Sequence, residues 1–202
     1  MIVKVCGLKL DNQIEELDQF KYVDWLGFIF YEKSKRYIDS APLRLKSSKK
    51  VGIFVNEELD SIIKIAEENR LDILQLHGDE KADYCMLLKS KYVLVKAFGM
   101  DEDFDFTLLA DYEGKVDYFL FDTKTREYGG SGNSFDWSTL DNYTLTTPFF
   151  LSGGISMESL GVIKNFQHKS FIGIDLNSKF ENNPGDKNIE LVKTFLKQLN
   201  DE

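Results

Sequence analysis

The chain has 202 residues, 43% of them hydrophobic, and 34 acidic against 25 basic side chains give it a formal net charge of −9. A chain of that size buries one substantial core, and its charge excludes nucleic acid as a partner, because no basic surface could supply counterion release. Two distant cysteines and two histidines fit no disulfide framework or metal-ligand spacing, and no apolar run reaches signal-peptide or membrane-span length. The expectation is therefore one domain over residues 1–202, cytoplasmic, metal-free and without membrane contact.

Short apolar runs flanked by Gly, Asp, Asn or Lys predict strands at Ile2–Val5, Leu26–Phe30, Val51–Val55, Ile73–Leu76, Tyr92–Ala97, Tyr118–Phe121, Phe149–Leu151 and Phe171–Leu176. Helical patterns lie between them. A weakly written one covers Ala41–Lys49, and Asn56 is placed as the cap of a helix carrying Leu59, Ile62, Ile63 and Ala66. Tyr84, Leu87 and Leu88 mark a shorter helix, and Asp136–Tyr143 is another weak pattern. Ser156 precedes Leu160, Ile163 and Phe166, and the last helix carries Ile189, Val192, Phe195, Leu196 and Leu199. Strand and helix alternating eight times, at nearly the shortest spacing a βα unit permits, predict an α/β fold, a compact (β/α)8 barrel. It would be smaller than the ~250 residues typical of that fold. A doubly wound open sheet is the alternative, weakened by the absence of G-x-G-x-x-G after the first strand.

In a barrel, functional groups gather where strands end. Cys6 ends the first strand, either as a small core hydrophobe or as a base. Asp122 ends the sixth and opens a polar stretch holding Gly129, Gly130 and Gly132. That stretch reads as a plain turn, or as a lid whose glycines approach a ligand. Asp122 itself is a loop cap, a partner for Lys124 or Arg126, or an acid facing the Cys6 thiol. Arg36, in Ser34-Lys35-Arg36-Tyr37, is solvated or clamps a carboxylate with two parallel hydrogen bonds. His77 ends the fourth strand with no orienting carboxylate in sight, a structural residue or a substrate contact. Gly153 and Gly154 after strand seven, with the helix start at Ser156, suit a phosphate, and Asp175, Asn177 and Ser178 would supply the other half of that cradle. Lys4 shares strand parity with Cys6; buried, it needs an acidic partner.

Val3-Lys4-Val5-Cys6-Gly7, Gly27-Phe28-Ile29-Phe30-Tyr31, Ser34-Lys35-Arg36-Tyr37-Ile38, Val51-Gly52-Ile53-Phe54-Val55-Asn56, Gln75-Leu76-His77-Gly78, the Asp122 to Gly132 loop with Phe135-Asp136-Trp137, and Leu151-Ser152-Gly153-Gly154 occur in order. Together they resemble phosphoribosylanthranilate isomerase, a barrel enzyme of tryptophan biosynthesis, over almost the whole chain. The resemblance implies an Amadori rearrangement of a small phosphorylated substrate without a cofactor, in a monomer or homodimer. Asp122 would protonate the furanose ring oxygen and Cys6, as thiolate, would take the proton from sugar C2. A thiol with an ordinary pKa of ~8.5 is a poor base at neutral pH, so a lowered value is expected for Cys6, and desolvation under a closed glycine lid would raise that of Asp122. A related histidine-pathway barrel carries an aspartate where Cys6 stands, and a catalytically silent phosphosugar-binding domain need not keep both Cys6 and Asp122. The sequence departs from the family after strand eight, where Lys179 replaces a glycine; if that position keeps a positive φ, the lysine costs roughly 1–2 kcal/mol of strain.

Overall fold

Eight parallel strands close on themselves: β1 (Ile2–Val5), β2 (Trp25–Ile29), β3 (Lys49–Phe54), β4 (Ile73–Leu76), β5 (Val93–Met100), β6 (Tyr118–Thr123), β7 (Phe149–Leu151) and β8 (Phe171–Leu176), with β8 paired back to β1. The computed structural model describes residues 1–124 and 135–201. Between the strands run α1 (Asp11–Asp18), α2 (Leu59–Asn69), α3 (Ala82–Lys89) and α4 (Leu160–Asn165), and α5 (Ile189–Leu199) follows β8. Short 3-10 turns at Phe106–Tyr112 and Trp137–Asn142 take the place of full helices after β5 and β6. Among the described residues no helix is long and apolar enough to cross a membrane.

The strands are short and β-branched or aromatic because each is covered on both faces. Inside, Trp25, Val51, Ile53, Ile73, Val95, Ala97, Leu120 and Phe150 make one cluster, and the outward residues pack beneath the helices as a second. Trp25, Tyr118 and Phe150 fill the interior with rings 4.8 to 5.8 Å apart. The lower barrel is thus solid, and only the end where the strands terminate is free for chemistry.

Three sequence expectations give way here. Ala41–Lys49 is not helical: Leu43 and Leu45 after Pro42 are two residues apart and make no helical stripe, and residues 46–49 are polar. Its backbone is tied down by Asp18, which accepts from the N–H groups of Lys46, Ser47 and Ser48 at 2.5, 3.0 and 2.8 Å. Asn56 does not cap α2. It sits in the left-handed region at φ 51° and accepts the Asp79 N–H at 2.7 Å, while Glu58 precedes the helix. Lys179 carries no positive φ, because it lies inside a 3-10 turn, Ser178–Phe180, so the expected strain is absent. Ser156 does cap, accepting the Glu158 N–H at 3.2 Å ahead of α4.

Two elements carry little sequence signal. One is α1, whose inward face has only Ile14 and Leu17 as apolar residues beside a buried Gln13 and Asp18; the other is a small hairpin after β8, made of β9 (Glu181–Asn183) and β10 (Asp186–Lys187). Both flank the mouth of the barrel.

Candidate active site

Alternation along each strand decides which side chains meet at the mouth. On β1 it turns Lys4 and Cys6 inward, two residues apart. On β2 the neighbour of Cys6 is Gly27, where a Cβ would come within 2.9 Å of the sulfur. A glycine is what leaves the thiol its place. The register between β1 and β8 sets Lys4 opposite Asp175, and Lys4 Nζ donates to Asp175 Oδ2 at 2.6 Å with the side chains 1% and 5% exposed. Asp175 Oδ1 is buried and has no hydrogen-bond partner among the described residues, although the residue lines the cavity above.

Burial pushes the Cys6 thiol above its ordinary pKa, and the Lys4 ammonium pulls it back only in part. Burial likewise raises Asp175 against the pull of Lys4. Desolvation works against the charge on Lys4, but Asp175 and Cys6 outweigh it and its pKa ends above the lysine value. The lowered thiol pKa expected from sequence is therefore not what the surroundings produce, because the dry barrel interior costs a thiolate more than one shared ammonium returns.

A second charged group forms the adjoining wall. Arg36, in the turn after β2, donates from Nε to both Glu181 oxygens at 3.0 Å and from Nη2 to Oε2 at 2.7 Å. Lys187, wholly enclosed, donates to Glu181 Oε1 at 2.7 Å and to Asn177 Oδ1 at 2.8 Å. Gln13 of α1 fastens this hairpin, accepting the Lys187 N–H and donating to the Lys187 carbonyl and Asp186. Burial alone would raise Glu181, but Arg36 and Lys187 hold its carboxyl below the usual value. Glu181 takes the Nε edge of the guanidinium, so a ligand carboxylate would meet its Nη1/Nη2 end. Three cations, the buried Lys4 and Lys187 and the partly exposed Arg36, stand here against two carboxylates, Asp175 and Glu181. In a chain of net charge −9, this corner is positive.

Across the mouth, Asp122 is the next-to-last residue of β6, and its Oδ1 accepts the Thr123 N–H at 2.8 Å. His77, just past β4, brings Nε2 to 3.4 Å from Asp122 Oδ2. The Gln75 amide meets His77 Nδ1 at 3.0 Å. With that amide donating, Nδ1 accepts and the ring proton lies on Nε2, toward the carboxylate. His77 thus has the carboxylate partner that the sequence could not name. Beside Asp122 the chain turns through Gly153 and Gly154 at φ 77° and 68°. A side chain at Gly153 would strike Asp122 Oδ1 at 2.8 Å and the Thr123 nitrogen at 2.5 Å, so this turn requires glycine on both counts.

Cys6, Arg36, His77, Asp122, Gly153, Gly154, Asp175, Asn177 and Ser178 line one cavity at the mouth of the barrel. Apolar walls with a few convergent polar groups suit a small-molecule ligand. Asp175 departs from its expected place in a phosphate cradle: its carboxylate turns down to Lys4 and belongs with the thiol. Gly130 and the rest of the glycine-rich stretch, 125–134, lie outside the described residues. Roles for Gln75, Glu181, Lys187 and Gln13 were not read from the sequence. For Gln75 the signal was its shared strand parity with His77, and for Glu181 and Lys187 it was the turn Asn183-Pro184-Gly185-Asp186, which marks a hairpin.

The family model for N-(5'phosphoribosyl)anthranilate (PRA) isomerase matches residues 3–198. An N-(5'-phosphoribosyl)anthranilate isomerase of Parabacteroides distasonis is 47% identical over 207 residues, spanning 98% of this chain and 93% of the other. The crystal structure of phosphoribosyl anthranilate isomerase from Thermus thermophilus matches with a TM-score of 0.83 at 26% identity, covering 100% of this chain and 99% of that one. A phosphoribosyl anthranilate isomerase in complex with reduced 1-(o-carboxyphenylamino)-1-deoxyribulose 5-phosphate matches with a TM-score of 0.76 at 27% identity, over 100% of both chains.

Proposed function

The chain belongs to the N-(5'-phosphoribosyl)anthranilate isomerase family, and from that premise we propose that it rearranges N-(5'-phosphoribosyl)anthranilate with Asp122 as general acid and Cys6 as general base. It is an isomerase of tryptophan biosynthesis. Asp122 protonates the furanose ring oxygen while the anilinic nitrogen pushes out the C1–O bond, which leaves a protonated Schiff base. The Cys6 thiolate then takes the proton from C2, and the electron pair moves through C1 into the iminium. The enolamine so formed gains a proton at C1, loses one from the C2 hydroxyl, and becomes the ketose. The iminium built from the substrate's own nitrogen is the electron sink.

The observation that carries this reading is the sharing of one cavity by Cys6 and Asp122, with Arg36 on one wall and the Gly153–Gly154 turn on the other. A ligand with a carboxylate at one end and a phosphate at the other suits that polarity. The Nη1/Nη2 end of Arg36 takes the carboxylate. The backbone of Gly153, Gly154 and Ser178, with Asn177, takes the phosphate. Asp175 Oδ1, buried and unpartnered, accepts a sugar hydroxyl. The product analogue bound by one of the structural relatives has the same two ends. A thiol at position 6, where the related histidine-pathway barrel has aspartate, favours the anthranilate substrate.

Cys6→Ser tests the reading, followed by the loss of fluorescence of the anthranilate adduct. General base catalysis contributes typically ~10²–10⁴-fold, so kcat should fall at least that far. Because burial pushes the thiol up, wild-type kcat should rise with pH through the neutral range. Full activity in Cys6→Ser would return this residue to a packing role.

A further inference from the structure

Lys4 is among the most deeply enclosed ionisable groups of the described residues. Its side chain is 1% exposed inside the barrel, and its charge has no part in the reaction steps above. Lysines are almost never buried this far without a reason, and breaking such a pair is costly while replacing it with apolar residues often is not. A barrel floor of Trp25, Val51, Ile73 and Phe150 has no need of an ion pair to close. What the pair does have is location: Lys4 lies one inward position below Cys6 on the same strand, and Asp175 fixes its ammonium from β8.

We propose that Lys4 is a positioning residue for the reaction: its ammonium, pinned by Asp175, is the fixed positive charge beneath Cys6 that lets the sulfur carry a negative charge in a dry site. This rests on Cys6 being the general base. A thiolate in the barrel interior has lost its water and needs a nearby cation that does not have to reorganise when the charge forms. Lys4 meets that need from below. The other charges facing the sulfur are Asp175, which opposes thiolate formation, and Lys187 from the hairpin, which favours it. Across the mouth, Asp122 and His77 act on Asp175 with opposite sign. Lys4 is the first among the favourable groups, and it stands one inward position below Cys6 with its ammonium held by Asp175. Asp175 has two duties in this scheme: Oδ2 holds the ammonium, and Oδ1 stays available to the ligand.

The test compares wild type with Lys4→Met, Lys4→Arg and the charge-neutral double variant Lys4→Met/Asp175→Asn. Alkylation of Cys6 by iodoacetamide is followed against pH by mass mapping of its peptide, beside the pH profile of kcat. A nearby opposite charge moves a titration by about 1–3 pH units. Lys4→Met should therefore shift both the alkylation midpoint and the acidic limb of kcat upward by that amount, with KM little changed and part of the rate recovered at high pH. Lys4→Arg should stay near wild type. If Lys4→Met does not fold, the double variant answers the same question, since it leaves no unpaired charge and should still titrate above wild type. An alkylation midpoint that stays in place in the folded variant overturns the inference, as does a kcat limb that moves without it. Activity surviving in Cys6→Ser would instead overturn the assignment of the base, whatever Lys4 does to the thiol.

Discussion

The two sides of the cavity are built on opposite plans. Around Cys6, the ionic groups Lys4, Asp175, Lys187 and Glu181 are between 0% and 5% exposed and bonded at 2.6 to 2.8 Å. Around Asp122, the carboxylate is 17% exposed, its histidine neighbour 26%, and they stand 3.4 Å apart. The first side is fixed by the ladder itself, since barrel closure sets β1 beside β8 and puts Lys4 against Asp175. The second is assembled at strand ends, from His77, Asp122 and the glycine turn. A base that must hold a negative charge without water needs rigid countercharges. An acid that gives up a proton and recovers it needs an approachable carboxyl.

If this contrast is right, equal-looking substitutions on the two sides should fail differently. Asp122→Asn should lower kcat by ~10²–10⁴-fold, the usual contribution of general acid catalysis. Its stability should be nearly unchanged, because the amide oxygen can still accept the Thr123 N–H. Asp175→Asn leaves a buried ammonium without its counterion, which destabilises a fold by about 3–5 kcal/mol. Urea titrations beside initial rates separate the two. A stable Asp175→Asn, or an Asp122→Asn that keeps a third of wild-type kcat, would undo the comparison.

Arg36 sharpens it from the side of binding. Arg36→Met removes a charge-assisted contact of roughly 1.5–3 kcal/mol, so KM should rise by about 10- to 150-fold while kcat falls much less. Inhibition by inorganic phosphate or a phosphosugar should survive, since that end of the cavity is left intact. An unchanged KM would mean that Glu181 is the sole partner of Arg36 and that the aromatic end of the ligand rests elsewhere.

The same contrast explains what could be read before the fold was known. Strand positions and the residues at their ends, Cys6, His77, Asp122 and Gly153, follow from apolar runs with polar stops, a local signal. The partner of Lys4 does not, because Asp175 is 171 residues away and becomes its neighbour only when the last strand meets the first. Glu181 and Lys187 were invisible for a related reason: in sequence they belong to a polar turn, and only the docking of that hairpin on Gln13 buries them. The supposed helix at Ala41–Lys49 failed because Asp18, from another element, satisfies its backbone. The Cys6 thiol is pushed up rather than down because desolvation depends on the packed interior and outweighs the neighbouring cations.

The smallest expected effect lies at His77, and it bears on how loosely the acid side is held. Gln75 fixes the ring from behind through Nδ1 and directs Nε2 at Asp122. At 3.4 Å this contact is longer than the 2.7–3.2 Å of a good hydrogen bond, and the imidazole is partly exposed, so its part is to orient the carboxyl. His77→Asn should therefore lower kcat by about two- to twelvefold, the equivalent of one ordinary hydrogen bond of 0.5–1.5 kcal/mol. KM should stay close to wild type, because His77 acts through Asp122 rather than gripping either charged end of the ligand. Rates and KM measured for His77→Asn, alone and combined with Asp122→Asn, decide the matter. In the double variant the histidine effect should vanish, since the group it orients is gone. A loss in His77→Asn as large as that in Asp122→Asn, or one that persists undiminished in the double variant, would make the histidine a proton carrier in its own right and the acid side as tightly organised as the base side.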